Sequence, residues 1–220
     1  MIEAFIFDLD GIITDTAEFH YLAWKKCAKE IGIEIDFEFN ENLKGVSRFE
    51  SFERILKHGN RENDFSESEK EVLANQKNDH YVSLINTITP KDILPNIENT
   101  LQSLREKGIK IGLASASKNA SLVINNLGIK EYFDFMADAR LCEFSKPHPE
   151  IFIRACEGLN VNPKNCVGVE DAYSGITAIN ECGMFSVGVG REDILSNCDL
   201  LFFSTLEINI EKIFDEFSKA

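Results

Sequence analysis

Phe5-Ile6-Phe7-Asp8-Leu9-Asp10-Gly11-Ile12-Ile13-Thr14-Asp15-Thr16 is an apolar run that ends in two carboxylates and a glycine. Its first part is long enough for one buried strand. A strand apolar on both faces is what a parallel sheet covered by helices requires. Side chains at i and i+2 of a strand share a side, so Asp8 and Asp10 are expected to project together. Two anions at the rim of an apolar sheet are costly unless something cationic joins them. A metal ion, a lysine or a shared proton would each serve.

Working outward, Asp15 or Thr16 can cap a helix running to about Ile31, with Gly32 as its stop. Ala17, Tyr21, Trp24, Ala28 and Ile31 recur on it at helical spacing. His20 lies on nearly the same stripe. It reads either as a half-buried packing residue or as a group that exchanges a proton with a carboxylate one turn below. Residues 33–88 read as almost wholly helical. Ser47-Arg48-Phe49-Glu50 and Ser66-Glu67-Ser68-Glu69 are both capping-box patterns. Just before the first, Leu43-Lys44-Gly45-Val46-Ser47-Arg48 sets two cations around a glycine at a helix N-terminus. That suits an anion such as phosphate, or is an ordinary basic turn. Lys77-Asn78-Asp79 reads by default as a solvated face.

From the linker at 87–95 onward, strand and helix patterns alternate. The expected organisation is an α/β core with a Rossmann-like parallel sheet, residues 1–15 and 90–220, and an inserted small α-helical cap, residues 16–89. Ile109–Ala114 is a strand that ends in Ser115-Ala116-Ser117-Lys118-Asn119. Such a loop opening a helix can cradle an anion, while Ser117 or Asn119 also reads as a plain N-cap. Lys146 sits in Ser145-Lys146-Pro147-His148-Pro149, held by two prolines, a setting for a point charge aimed at one place. Asn165–Val169 is a second buried strand ending in carboxylates, Glu170 and Asp171. Further strands are expected at Phe185–Gly190 and Leu200–Phe203, and a closing amphipathic helix at Leu206–Phe217.

The chain has 220 residues and a formal net charge of -14, which argues against nucleic acid or an anionic membrane as its main partner. It contains no run of about 18 apolar residues, so no transmembrane helix is expected. No secretory signal is visible. The six cysteines show no C-x-x-C pair and read as buried, reduced residues of a cytoplasmic protein.

Two strands thus deliver Asp8, Asp10, Glu170 and Asp171. If those strands are neighbours, the acids converge at the carboxyl ends of the sheet, where ligands of such folds bind. Oxygen-only ligation without His or Cys points to Mg2+. Mg2+ with a lysine and hydroxyl donors is an apparatus for phosphoryl transfer. The chain has no G-x-x-x-x-G-K-[ST] loop, so a P-loop nucleotidase is not expected.

Asp8-Leu9-Asp10-Gly11 with Thr14-Asp15-Thr16, the strand-end Ser115, Lys146-Pro147 and Glu170-Asp171 resemble the four signature motifs of the haloacid-dehalogenase-like (HAD) superfamily. The order is the superfamily's, and the resemblance covers essentially the whole chain. His20, Trp24, the stretch Lys44 to Arg48, and Lys77-Asn78-Asp79 look like its hexose-phosphate mutase branch. The resemblance implies Asp8 as nucleophile, carried between turns as an aspartyl phosphate, and Asp10 as general acid/base. One Mg2+ would be held by Asp8, the Asp10 backbone carbonyl, Glu170 and Asp171. Ser115, Asn119 and Lys146 would hold the transferring phosphoryl, with Ala116 and Ser117 beside them as substrate-binding residues. Arg48, with Lys44, Gly45, Val46, Ser47 and Ser51, would hold the other phosphate. Thr16, His20, Trp24 and Lys77 would serve the hinge and the sugar. The implied reaction interconverts β-D-glucose 1-phosphate and glucose 6-phosphate through glucose 1,6-bisphosphate, in a monomer. A Mg-dependent sugar-phosphate phosphatase would carry the same core, and a non-catalytic sugar-phosphate sensor would share the scaffold. The chain departs from the pattern at His148, where a small residue is expected, and at Ala172, where serine is usual.

Overall fold

The computed structural model describes residues 1–43 and 46–220, so Lys44 and Gly45 lie outside the described residues. The chain divides into two compact units, Met1–Asp15 with Thr89–Ala220, and Thr16–Ile88.

The first unit is built on six strands: β1 (Ala4–Phe7), β2 (Lys110–Leu113), β3 (Phe135–Met136), β4 (Cys166–Glu170), β5 (Phe185–Val189) and β6 (Leu200–Phe202). Their order is β3-β2-β1-β4-β5-β6, and every pairing is parallel. Ala4, Phe5, Ile6 and Phe7 are all fully buried, as a central strand covered on both faces must be. In β1, Phe7 stands level with Leu113 of β2 and Val169 of β4. The chain runs outward in opposite directions from β1 and β4. Their carboxyl ends form the switch point at which open α/β sheets bind ligands.

The second unit is helical: α1 (Ala17–Glu30), α2 (Phe37–Glu41), α3 (Arg48–His58) and α4 (Glu67–Ile85). Trp24, Ala28, Ile33, Phe52, Ile55 and Leu56 form its core. Gly32 ends α1 at φ +75°, a left-handed position that glycine takes without strain. The Ser66 box at α4 is complete, Ser66 and Glu69 each accepting from the other's backbone. The Ser47 box is only half formed: Ser47 Oγ accepts the Glu50 N–H, but the Glu50 carboxylate turns to Arg54. An ion pair within the helix has replaced the second capping bond. Thr16 stands at the N-cap of α1 without a side-chain capping bond.

The remaining helices belong to the first unit: α5 (Ile97–Glu106), α6 (Ala120–Asn126), α7 (Glu150–Leu159), α8 (Tyr173–Glu181) and α9 (Ile210–Phe217). The closing helix starts later than its apolar pattern predicts. Thr205–Glu207 forms a tight 3-10 turn, and Asn209 then caps α9 by accepting the Lys212 N–H. No helix among the described residues is long and apolar enough to cross a membrane.

Candidate active site

β1 stops at Phe7, so Asp8 and Asp10 do not both lie on the strand as the i, i+2 spacing predicts. The Asp8 N–H still reaches Val169 O at 2.9 Å, which extends the ladder by one residue. Beyond it the backbone turns away from the sheet. Leu9 O accepts the N–H groups of Ile13 and Thr14, and the Gly11 N–H donates to Thr14 O. Gly11 adopts φ +76°, and a Cβ there would fall 2.1 Å from Asp171 Oδ2. Both the turn and the close approach require glycine. The loop is fixed from behind, since Thr14 Oγ1 donates to Asp92 O at 2.7 Å and the Leu94 N–H to Ile13 O at 2.9 Å. Asp8 is therefore presented rigidly by the sheet, and Asp10 by a braced turn.

Lys146 supplies a cation for Asp8. Its Nζ lies 2.6 Å from Asp8 Oδ1 and 2.7 Å from Glu170 Oε2, with all three side chains buried. Of the three partners open to the opening pair, a lysine is in place. The Lys146 loop is closed at its ends: Glu150 Oε2 accepts the N–H groups of Glu143 and Phe144, and Ser145 O accepts that of His148. His148 itself packs at a tilt against the Phe144 ring, centroids 4.6 Å apart, and accepts the Glu150 N–H through Nδ1 at 3.3 Å. The unexpected residue thus closes the loop. Glu170 Oε1 accepts the N–H groups of Asp171 and Ala172 at 3.2 Å each. Both of its oxygens are pinned.

Asp8, Glu170 and Asp171 each offer a carboxylate oxygen, all within 4.8 Å of one another. Burial and then Glu170 push the Asp8 carboxyl up to about 7, against the pull of Lys146. The protein atoms crowding Asp171, then Glu170 and Asp8, hold its pKa above the usual carboxylate range, although its side chain reaches solvent. Burial opposes the Lys146 charge, yet Asp8 and Glu170 outweigh it and keep the ammonium protonated. Three carboxylates against one lysine leave a site short of positive charge. A Cβ on Gly175 would fall 2.0 Å from Glu170 Cδ, so α8 leaves room for this carboxylate by carrying glycine there. An all-oxygen donor set of this kind suits a hard divalent cation. The Asp10 side chain is not part of the group.

Beyond β2, Ser115 is buried and its Oγ accepts the Ser117 N–H at 3.0 Å, while Ser117 Oγ accepts that of Asn119 at 3.3 Å. The two hydroxyls fold the loop into successive turns. Asn119 stands at the N-cap of α6 without a side-chain capping bond. Ala116 is exposed between them.

The helical unit gathers a second set. Lys77 is buried, which overturns its reading as a solvated residue, and its Nζ lies 3.0 Å from His20 Nδ1. It also stands over the rings of Trp24 and Tyr81 at 4.5 Å and 5.0 Å. Burial, followed by Arg48, lowers the Lys77 pKa to about 7. Burial, then Lys77 and Arg48, holds His20 well below its ordinary value, so the neutral ring accepts at Nδ1. Tyr81 donates to Thr16 Oγ1 at 3.1 Å and its ring lies 4.0 Å from that of His20. Tyr81 escaped the sequence reading, although it follows Lys77 by four residues and shares its helix face. Ser51 is buried with Oγ donating to Ser47 O, and Val46 is half-buried. Arg48 donates to Asn75 and Asn78. Lys44 and Gly45 lie outside the described residues.

The haloacid dehalogenase-like hydrolase model matches residues 2–183. β-Phosphoglucomutase of Bacillus subtilis (strain 168) is 44% identical over 217 residues, 99% of this chain and 96% of the relative. A fructose-1-phosphate phosphatase of Escherichia coli (strain K12) is 29% identical, over 84% of this chain and 94% of the relative. The crystal structure of β-phosphoglucomutase from Clostridium difficile is 56% identical with a TM-score of 0.96, covering 100% of this chain and 98% of that one. With the family model spanning most of the sequence and a relative 44% identical over 99% of it, the chain belongs to the haloacid dehalogenase-like hydrolase family.

Proposed function

We propose that the protein is a β-phosphoglucomutase, interconverting β-D-glucose 1-phosphate and glucose 6-phosphate. The observation that carries the mutase reading over a phosphatase one is the end-to-end likeness to two β-phosphoglucomutases, at 44% and 56% identity. The chemistry is assigned to residues of this chain as follows. Asp8, carrying a phosphoryl group, gives it to the sugar 6-hydroxyl while the Asp10 carboxylate takes the hydroxyl proton. The resulting 1,6-bisphosphate turns end for end. Asp8 then attacks the 1-phosphoryl phosphorus, the anomeric C–O oxygen leaves, and Asp10 returns the proton to it. Ser115, Ser117 and Asn119 bind the transferring group's oxygens. Lys146 fixes the Asp8 carboxylate and faces the same charge. Arg48 and the residues around it take the second phosphate, with His20, Trp24 and Lys77 along the sugar. A Mg2+ ion held by Asp8, Glu170, Asp171 and the Asp10 carbonyl would offset negative charge on the transferring group. The proposal includes one such ion per chain, and a monomer working in the cytoplasm.

The test is a product analysis with Mg2+ and a trace of glucose 1,6-bisphosphate. Glucose 6-phosphate formed from the β-anomer is the expected product, and inorganic phosphate as the main product would replace this reading with a phosphatase. Asp10→Asn is expected to stop turnover while keeping Mg2+ affinity within about threefold, because only the backbone of that residue is assigned to the ion. Loss of Mg2+ binding in the variant, followed calorimetrically, contradicts the split of roles.

A pH dependence follows from Asp8. Its carboxyl rises from 3.8 to about 7 in the metal-free fold. A raised carboxyl favours the fold while protonated, so its contribution is complete below the unfolded value and is lost as pH climbs through about 7. Carboxylates with lowered values, such as Asp134, titrate below that window. In chelator, the Asp8 contribution, read as the parent melting temperature minus that of Asp8→Asn, is therefore expected to fall from about pH 5.5 to about pH 8, while the lowered values of Lys77 and His20 act in the opposite direction in both proteins and cancel in the difference. A fixed Mg2+ concentration about 100 times the Kd at about pH 8 adds about 2.7 kcal/mol there and less at about pH 5.5, where protonation of Asp8 weakens binding. Equal Mg2+ shifts at both pH values, measured by scanning calorimetry, would remove Asp8 as the titrating ligand.

A further inference from the structure

Arg48 opens α3 and donates through Nη1 to Asn75 Oδ1 at 3.1 Å and through Nη2 to Asn78 Oδ1 at 2.7 Å. The two amides lie three residues apart on α4, on one face. The other six arginines of the chain each hold an Asp or Glu within ion-pair distance. Arg48 takes part in no ion pair among the described residues, in a chain whose net charge is -14. Burial lowers its pKa, and only the more distant field of Asp79 counters that. Its charge in turn depresses Lys77 and His20. A carboxylate partner would orient the guanidinium equally well and cancel its charge. A neutral amide oxygen orients it and leaves the charge in place.

We infer that Asn75 and Asn78 are positioning residues for charge selection: they fix the Arg48 fork while keeping it a full cation, so that the unit favours a dianionic phosphoryl ligand. The inference rests on the reading above that Arg48 takes the sugar's second phosphate. It adds that the neutrality of α4 at these two positions, and not only the arginine, sets that affinity.

Asn78→Asp separates this from a purely structural role, because the side chain keeps its shape and the acceptor that holds Arg48, and exchanges its Nδ2 donor for a negative charge. The expected result is a KM for β-D-glucose 1-phosphate raised at least about tenfold, with kcat within about threefold and an unchanged or higher melting temperature. Asn78→Ala, which frees one arm of the fork, is expected to raise KM less than Asn78→Asp. A structural role predicts the reverse order, with aspartate rescuing what alanine loses. Arg48→Ala is the control on the underlying reading and is expected to raise KM by more than either. An Arg48→Ala enzyme with parental KM refutes the phosphate assignment of Arg48. A raised KM in Arg48→Ala together with parental KM in Asn78→Asp overturns the charge-selection inference alone.

Discussion

Asp8→Asn is expected to lower turnover on the order of 10,000-fold or more while leaving the fold standing. The amide keeps the shape of the carboxylate and an oxygen to accept from Lys146 Nζ, now 2.6 Å from Asp8 Oδ1. What it loses is the nucleophile and one of three clustered carboxylates, two of which meet Lys146. Asp8 is destabilising when ionised in the metal-free fold, since burial and Glu170 raise its pKa. The variant should therefore melt at the same or a higher temperature than the parent in chelator at about pH 8. Its Mg2+-induced shift should be smaller, because one donor is weakened. Mass spectrometry of the parent incubated with glucose 1,6-bisphosphate should show one added phosphoryl group, absent in the variant. Turnover within tenfold of the parent, or a phosphoryl adduct that survives the substitution, would remove Asp8 from the covalent role.

The core of this site was legible in the sequence because strand ends are marked locally. An apolar run that stops at a carboxylate announces itself, and both Asp8 and Glu170 do so. The alternating pattern gives a parallel sheet but leaves open which strands are neighbours; that β1 pairs with β4 comes from the structure. What was not legible is pairing across the sheet. Lys146 lies 138 residues from Asp8 and 24 from Glu170, and its rigid loop says only that it is aimed, not at what. The helical unit was read less well for the same reason. Lys77 sits in a polar helix, and nothing in its own turn shows that Trp24 and Tyr81 enclose it. Arg48 was picked out by its place at a helix N-terminus, but its amide partners are 27 and 30 residues away. Local geometry also overruled pattern at Asp10, where the i, i+2 rule assumes a strand that has already ended at Phe7.

The two charge arrangements are opposite in kind. In the sheet unit, carboxylates outnumber the one lysine they share, so the deficit calls for a cation. In the helical unit, Arg48 is held by neutral amides and Lys77 by a neutral imidazole, so the excess calls for an anion. A divalent cation suits the first and a phosphoryl group the second, each within its own unit.

Lys146→Met tests the first arrangement most severely. The Met side chain replaces most of the lysine stem and can rest on Phe152, whose ring centroid lies 4.8 Å from Nζ. The variant therefore isolates the loss of charge from a loss of packing. It leaves Asp8 and Glu170 buried side by side without their cation, and breaking such a network costs about 3–5 kcal/mol. For a chain of this size that lowers the melting temperature by roughly 6–20 °C. The penalty has a pH sign. With the ammonium gone, the Asp8 carboxyl moves further above its unfolded value, so the cost is greatest at about pH 8 and shrinks as protons return toward about pH 5.5. Mg2+ should recover more stability in the variant than in the parent, because it replaces a missing positive charge. Activity should not recover with it: an ion can neutralise the carboxylates, but it does not hold Asp8 Oδ1 in one direction or face the transferring group from the lysine's side. A turnover loss on the order of 100- to 1,000-fold at saturating Mg2+ is expected. A variant that melts with the parent in chelator at about pH 8 would show that Lys146 does not carry the charge balance of the site.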